Sequence, residues 1–271
     1  MLGAIIGDIV GSVYEWNNVK TKYFPLFSKD VFFTDDTVMT IAIADALLKG
    51  GETDDFIDSM KKFGRLYPDS GYGSRFGSWL SSADREPYNS WGNGSAMRVS
   101  PCAWFAGNLG EAETLAEKSA AVTHNHPEGI KGAQATTAAI YLARTGKTKS
   151  EIKEYIQSKH GYDLSRALDK IRPKYRFNET CMKTVPEAII AFLESADFED
   201  AIRNAISLGG DSDTLAAITG SIAEAYYGIP LWIKEKAIDY LHDDLRAIYD
   251  EWIAFLSAKD EKLSVLNASK I

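Results

Sequence analysis

The chain carries only two cysteines, Cys102 and Cys181, among 271 residues. Two cannot staple a fold of this size and they form no zinc-ligand spacing, so a reducing compartment is expected. Proline is scarce too, at 8 residues, where ordinary usage would give roughly 14. No run of about 18 apolar residues occurs, so no membrane span is expected. The apolar start, residues 1–11, lacks a basic leader and holds Asp8 in its middle, which argues against a signal peptide. Long basic runs are also missing. Lys plus Arg number 30 against 38 for Asp plus Glu, a net charge of -8, and the pI is near 5.1. That balance disfavours binding to a nucleic-acid backbone. With 45% hydrophobic and 25% charged residues, the chain reads as an ordinary globular, cytoplasmic protein.

Few segments alternate with period two, whereas helical periods recur. The pattern predicts helices over 35–49, 53–66, 111–121, 128–145, 150–159, 185–194, 197–208, 214–227 and 231–256, the last divisible into two, after a first helix near the start. Thr53 as an N-cap, Ser150 ahead of Glu151, and Gly228 before Pro230 supply start and stop signals. The expected fold class is all-α: one domain over 1–271, a compact multi-helix orthogonal bundle. Two helices, 38–48 and 214–227, are apolar nearly all round and belong at the centre. Gly3, Gly7 and Gly11 on the first helix recur every four residues and would let a neighbouring backbone approach. The polar stretch 146–184 reads as a peripheral excursion.

Four segments carry candidate chemistry. Thr34-Asp35-Asp36-Thr37 opens the wholly apolar helix, so its carboxylates cannot all face water and need a partner. Thr53-Asp54-Asp55 is the control, because it opens a helix with a polar face and simply decorates a solvated N-terminus. Gly209-Gly210-Asp211-Ser212-Asp213-Thr214 repeats the first arrangement at a second apolar helix. Two such clusters without nearby Lys or Arg suggest convergence on cations. Carboxylate and hydroxyl oxygens are hard ligands suited to Mg, Mn or Ca, and four carboxylates suggest two ions.

The glycine-rich loops Ser70-Gly71-Tyr72-Gly73-Ser74 and Ser90-Trp91-Gly92-Asn93-Gly94-Ser95 could cradle phosphates through backbone N–H groups. Tyr72 or Trp91 could stack on a base or sugar. Each loop taken alone is also ordinary turn chemistry. In Thr123-His124-Asn125-His126-Pro127-Glu128 the His-x-His pair lacks further zinc ligands, and Pro127 with Glu128 reads as helix initiation. Either histidine could still touch substrate.

Taken in order, Gly7-Asp8-Ile9-Val10-Gly11 with Glu15, Thr34-Asp35-Asp36-Thr37, Gly71-Tyr72-Gly73, Ser90 through Arg98, Thr123-His124 and Gly209 through Thr214 resemble the ADP-ribosylglycohydrolase family. The resemblance spans about residues 3 to 228. It implies a helical single-domain enzyme with two Mg or Mn ions in a cleft, acting on an ADP-ribosylated protein or small molecule. By the resemblance, Thr34, Asp35 and Asp36 hold metal from one side, and Asp211, Asp213 and Thr214 from the other. Glu15 matches the acidic residue near the metals and is the expected acid/base. Gly71, Tyr72, Gly73, Ser90, Gly92, Asn93 and Gly94 line the diphosphate and distal ribose, and His124 contacts substrate. The adenine pocket stays unassigned, with Tyr175, Arg176 and Phe177 lying in the variable excursion.

The implied reaction is hydrolysis at the anomeric carbon of that ribose, through oxocarbenium character. Two rivals exist. An isoprenoid diphosphate enzyme would need a further aspartate where Met39 stands. A non-catalytic ADP-ribose-binding module would not need Glu15 and every ligand position intact.

Overall fold

Helix α1 (Leu2–Gly11) is buried at every residue in the computed structural model, which describes the backbone of residues 1–268 and the side chains of residues 1–259. A short 3-10 turn, Ser12–Tyr14, follows it. The chain continues as α2 (Asp35–Lys49), α3 (Thr53–Leu66), α4 (Ser74–Ser81), α5 (Gly94–Met97), α6 (Ser100–Phe105), α7 (Leu109–Ala121) and α8 (Pro127–Arg144). Then come α9 (Lys149–His160), α10 (Leu168–Ile171), α11 (Cys181–Leu193), α12 (Phe198–Ile206), α13 (Ser212–Tyr227), α14 (Leu231–Ile238) and α15 (Asp243–Ala268). The described residues contain no strand, and one isolated bridge joins Gly92 to Thr180. The fold is all-α, as the periodicity requires.

Helices α2 and α13 are the expected central pair, with residues 36–47 and 212–223 buried without interruption. The structure adds α1 as a third wholly buried helix, lying along α13. Its glycines are the reason. A β-carbon at Gly3 would lie 2.1 Å from the Gly220 carbonyl oxygen, and one at Gly7 2.1 Å from that of Ala216. At Gly11 it would meet the Asp213 Cα at 2.5 Å. Backbone therefore packs on backbone, and α1 delivers Asp8 beside the first turn of α13.

Local chemistry corrects several details. Glu52, not Thr53, caps α3, in a reciprocal capping box with Asp55. Thr148, not Ser150, caps α9, boxed with Glu151. Gly228 ends α13 as expected. The stretch 231–256 divides after Ile238 and resumes at Asp243. Helices α4, α5, α6 and α10 went unpredicted; all are short and carry too little periodicity to register. The 146–184 excursion is less peripheral than its polarity implies, because Leu164, Leu168, Ile171 and Tyr175 are buried.

Candidate active site

The N-termini of α2 and α13 meet at one cleft. Thr34 caps α2 through its side-chain oxygen, which receives the Asp36 N–H. That leaves Asp35 and Asp36 in the first turn, at the end where the helix dipole favours negative charge. Asp211 and Asp213 sit at the start of α13 after Gly209 and Gly210, both at positive φ (64° and 75°) where glycine is favoured. At Gly210 a β-carbon would also strike the Tyr175 ring at 2.8 Å. Asp8 of α1 braces the arrangement. Its Oδ2 accepts from the N–H groups of Thr34 at 2.9 Å and Thr37 at 3.0 Å, and its Oδ1 accepts the Thr34 hydroxyl at 2.7 Å.

Carboxylate oxygens of Asp8, Asp36 and Asp213 lie within 4.8 Å of one another, as do those of Glu15, Asp211 and Asp213. No ion pair among the described residues engages any of these acids or Asp35. Burial pushes the Asp8, Asp35, Asp36 and Asp213 carboxyls above the usual carboxylate range; for the last three, neighbouring acids add to it. Asp211 rises to about 7 for the same first reason, although its Oδ2 receives the Asn93 amide at 2.6 Å. Asp36 is 2% exposed, and its Oδ1 has no hydrogen-bond partner. Such a buried oxygen is costly unless something positive meets it. The donor set therefore fits hard divalent cations. The hydroxyls of Thr34 and Thr214 fit as well, because each donates its proton to a neighbouring carboxylate and keeps a lone pair free, Thr34 lending its other one to the Asp36 N–H.

The cleft beside this cluster holds about 420 Å³, within the range of small-molecule sites. Its walls include Glu15, Thr34, Asp35, Asp36, Gly71, Gly73, Ser90, Gly92, Asn93, Gly94, His124, Asp211, Asp213 and Thr214. All the site residues expected from sequence thus stand together except one. Tyr72 does not line the cleft; its half-buried ring packs on Phe76 at 5.6 Å. Trp91 likewise turns to His126 at 5.3 Å. His126 caps α8 by accepting the Glu128 N–H, as the reading of Pro127 and Glu128 as helix initiation requires.

Glu15 follows the 3-10 turn. Burial raises its carboxyl to about 7, with Asp213, Asp8 and Glu179 adding repulsion and the Trp16 indole lowering it by hydrogen bonding. Asn18 fastens this segment to the second acidic cluster, accepting the Gly210 N–H at 2.7 Å and donating to the carbonyls of Glu15 and Gly210. Asp8 and Asn18 are the site's supports that sequence reasoning missed. The signal available for Asp8 was an acid inside an otherwise apolar helix. The control behaves as expected: Asp54 is exposed and pairs only with Arg85 at 2.7 Å.

Acidic helix N-termini thus stand around a glycine-lined cleft in a helical bundle. The ADP-ribosylglycohydrolase family model matches residues 1–263; the chain belongs to that family, glycosidases that release ADP-ribose. It is similar to the ADP-ribosylhydrolase ARH3 of Mus musculus, 28% identical with 84% of this chain and 83% of that protein covered. It is similar also to the ADP-ribosylarginine hydrolase Tri1 of Pseudomonas putida (strain GB-1), 27% identical over 88% of this chain and 73% of that one. A solved structure described as an ADP-ribosylglycohydrolase-related protein complex superposes with a TM-score of 0.70 at 26% identity, covering 91% of this chain and 93% of that one.

Proposed function

We propose that the cleft hydrolyses the bond between ADP-ribose and a modified side chain with the help of two divalent cations, Mg or Mn. Thr34, Asp35 and Asp36 would hold them from one side and Asp211, Asp213 and Thr214 from the other. The observation that carries this reading is the unpartnered, buried Asp36 Oδ1 within a cluster of carboxylates that form no ion pair with a basic side chain among the described residues. Ions held there would supply Lewis-acid chemistry, binding ribose hydroxyls and lowering the pKa of a water. The backbone N–H groups of the Gly71–Gly73 loop and of Gly94 support the diphosphate, while those of Gly92 and Asn93 are held by Ser90 Oγ and the Glu179 carbonyl and the Asn93 amide steadies Asp211. Glu15, at the cleft wall with a carboxyl able to hold or release a proton near neutrality, serves as acid/base or orders that water.

The surroundings of Glu15 favour an arginine linkage. Trp16, 76% exposed, stacks on Phe177 at 5.3 Å, and Phe32 and Glu179 stand in the same cleft wall. The cations of the lining are engaged elsewhere, Arg75 over Tyr88 and Arg98 over Phe76. Aromatic faces beside carboxylates suit a planar, cationic guanidinium leaving group, and the Pseudomonas relative is named for that linkage. The test is release of free ADP-ribose from ADP-ribosylated arginine, serine and nucleotide substrates, with chelator and with added Mn. Release from the arginine substrate only with Mn is expected. Tight ADP-ribose binding without turnover of any substrate would make the protein a binding module instead.

A further inference from the structure

His124 is the one histidine in the cleft wall, and two buried residues behind it decide which of its nitrogens carries the proton. Arg98 is 1% exposed and donates through Nη2 to the Ser119 carbonyl and to the Thr123 hydroxyl oxygen, both at 2.9 Å. Thr123 Oγ1 in turn lies 2.8 Å from His124 Nδ1. A guanidinium can only donate, so Arg98 occupies a lone pair of the hydroxyl and orients its proton toward the ring. Thr123 is fully buried, and no other acceptor for its proton stands within bonding distance among the described residues. Its hydrogen bond to Nδ1 leaves the ring proton on Nε2.

That Nε2 makes no bond to protein among the described residues. It faces the loop whose glycines leave it room: β-carbons at Gly94 and Gly92 would lie 3.3 and 3.4 Å away. We infer that Arg98 and Thr123 are positioning residues that lock His124 as a fixed Nε2–H donor aimed at an acceptor oxygen of the substrate's diphosphate. The acceptor's identity rests on the proposed function; the locked tautomer does not. The groups that face the ring are Arg98, Arg75 and Tyr88. Burial and then the two guanidiniums hold His124 well below the usual histidine range, so it stays neutral and its one donor does not change with pH. A neutral histidine whose donor is set from behind keeps a fixed hydrogen-bond direction, which an exposed, titrating ring would lose.

The experiment is nitrogen NMR of the histidine-labelled full chain, with His124→Gln identifying the signal among the four histidines. Wild type is expected to show Nε2 protonated, Nδ1 bare and no titration between about pH 5.5 and 8, the span that brackets an ordinary histidine. Thr123→Val should yield mixed tautomers or titration nearer the ordinary value. It should also weaken ADP-ribose binding by calorimetry about tenfold, the scale of one lost hydrogen bond to a charged oxygen. Thr123→Ser should restore both. A wild-type ring protonated on Nδ1 overturns the inference, even if Thr123→Val proves unfolded. So does a Thr123→Val protein with unchanged spectrum and affinity. Failure of wild type to bind ADP-ribose would instead strike the proposed function, leaving the tautomer result to stand.

Discussion

Asp8 and Thr34, 26 residues apart, are joined twice: the Asp8 carboxylate accepts both the backbone N–H and the hydroxyl of Thr34. Asp8 thus ties α1 to the cap of α2 and orients the hydroxyl that would face a cation. Asp8→Asn replaces an acceptor with an amide donor facing N–H and O–H groups. The expected result is loss of Mn-dependent activity by about 100-fold and destabilisation by about 1–3 kcal/mol, the cost of unsatisfied buried donors. Denaturant unfolding and a Mn titration read the two effects. Wild-type behaviour in both would reduce Asp8 to a bystander.

The α1–α13 contact offers no room for a methyl group. Gly7→Ala places a β-carbon against the Ala216 carbonyl, which is backbone and cannot rotate away. Helix separation should cost about 1–3 kcal/mol or more, although alanine is the better helix former by about 1 kcal/mol. Packing wins if the melting temperature falls. A rise would mean that the helices can part without loss.

Substitutions at the two kinds of acidic helix start should separate cleanly. Asp36→Ala and Asp213→Ala are expected to abolish Mn-dependent release of ADP-ribose, while Asp54→Ala, exposed and paired only with Arg85, stays within about twofold. Equal losses at Asp36 and Asp54 would remove the first cluster from the site.

Glu15→Gln should keep ADP-ribose binding near wild type and lower turnover about 100-fold or more, the ordinary scale for an acid/base group. Calorimetry and single-turnover kinetics separate binding from chemistry. Undiminished turnover would take Glu15 out of the reaction.

Where the sequence was legible follows from range. Helices α2 and α3 carry their own caps and apolar faces, so both ends could be read locally. The acidic clusters stood out because they open helices with no polar face to dissolve them. Helices α4 to α6, only 8, 4 and 6 residues long, are too short to show a helical period and owe their shape to neighbours. Asn18 was invisible for the same reason, since its partner Gly210 lies 192 residues away. Tyr72 shows the converse: a loop glycine pattern locates backbone near substrate but leaves open which way the intervening ring turns.

Metal should control stability, and pH should reveal it. Asp211 holds its proton to about 7 in the folded chain, against about 3.9 for an unfolded aspartate. Between those values the folded state binds more protons than the unfolded one, so stability falls as pH rises. The contribution is fully present below about pH 4 and lost as pH passes through 7. Chelated protein should therefore melt at a lower temperature at pH 8 than at pH 5.5, and the like-directed shifts of Asp35, Asp36 and Asp213 steepen the slope. An ion bound only by the folded state, at 100 times its dissociation constant, adds about 2.7 kcal/mol, and it favours the ionised carboxylates. Added Mn should flatten the slope and raise the melting temperature most at pH 8. Asp36→Asn removes one repelling charge while keeping the side chain's shape. In chelator at pH 8 it should melt above wild type, yet gain less from Mn. Thermal unfolding of both proteins across pH, with chelator and through a Mn titration, decides the matter. A variant less stable than chelated wild type and equally responsive to Mn would make Asp36 an ordinary helix cap.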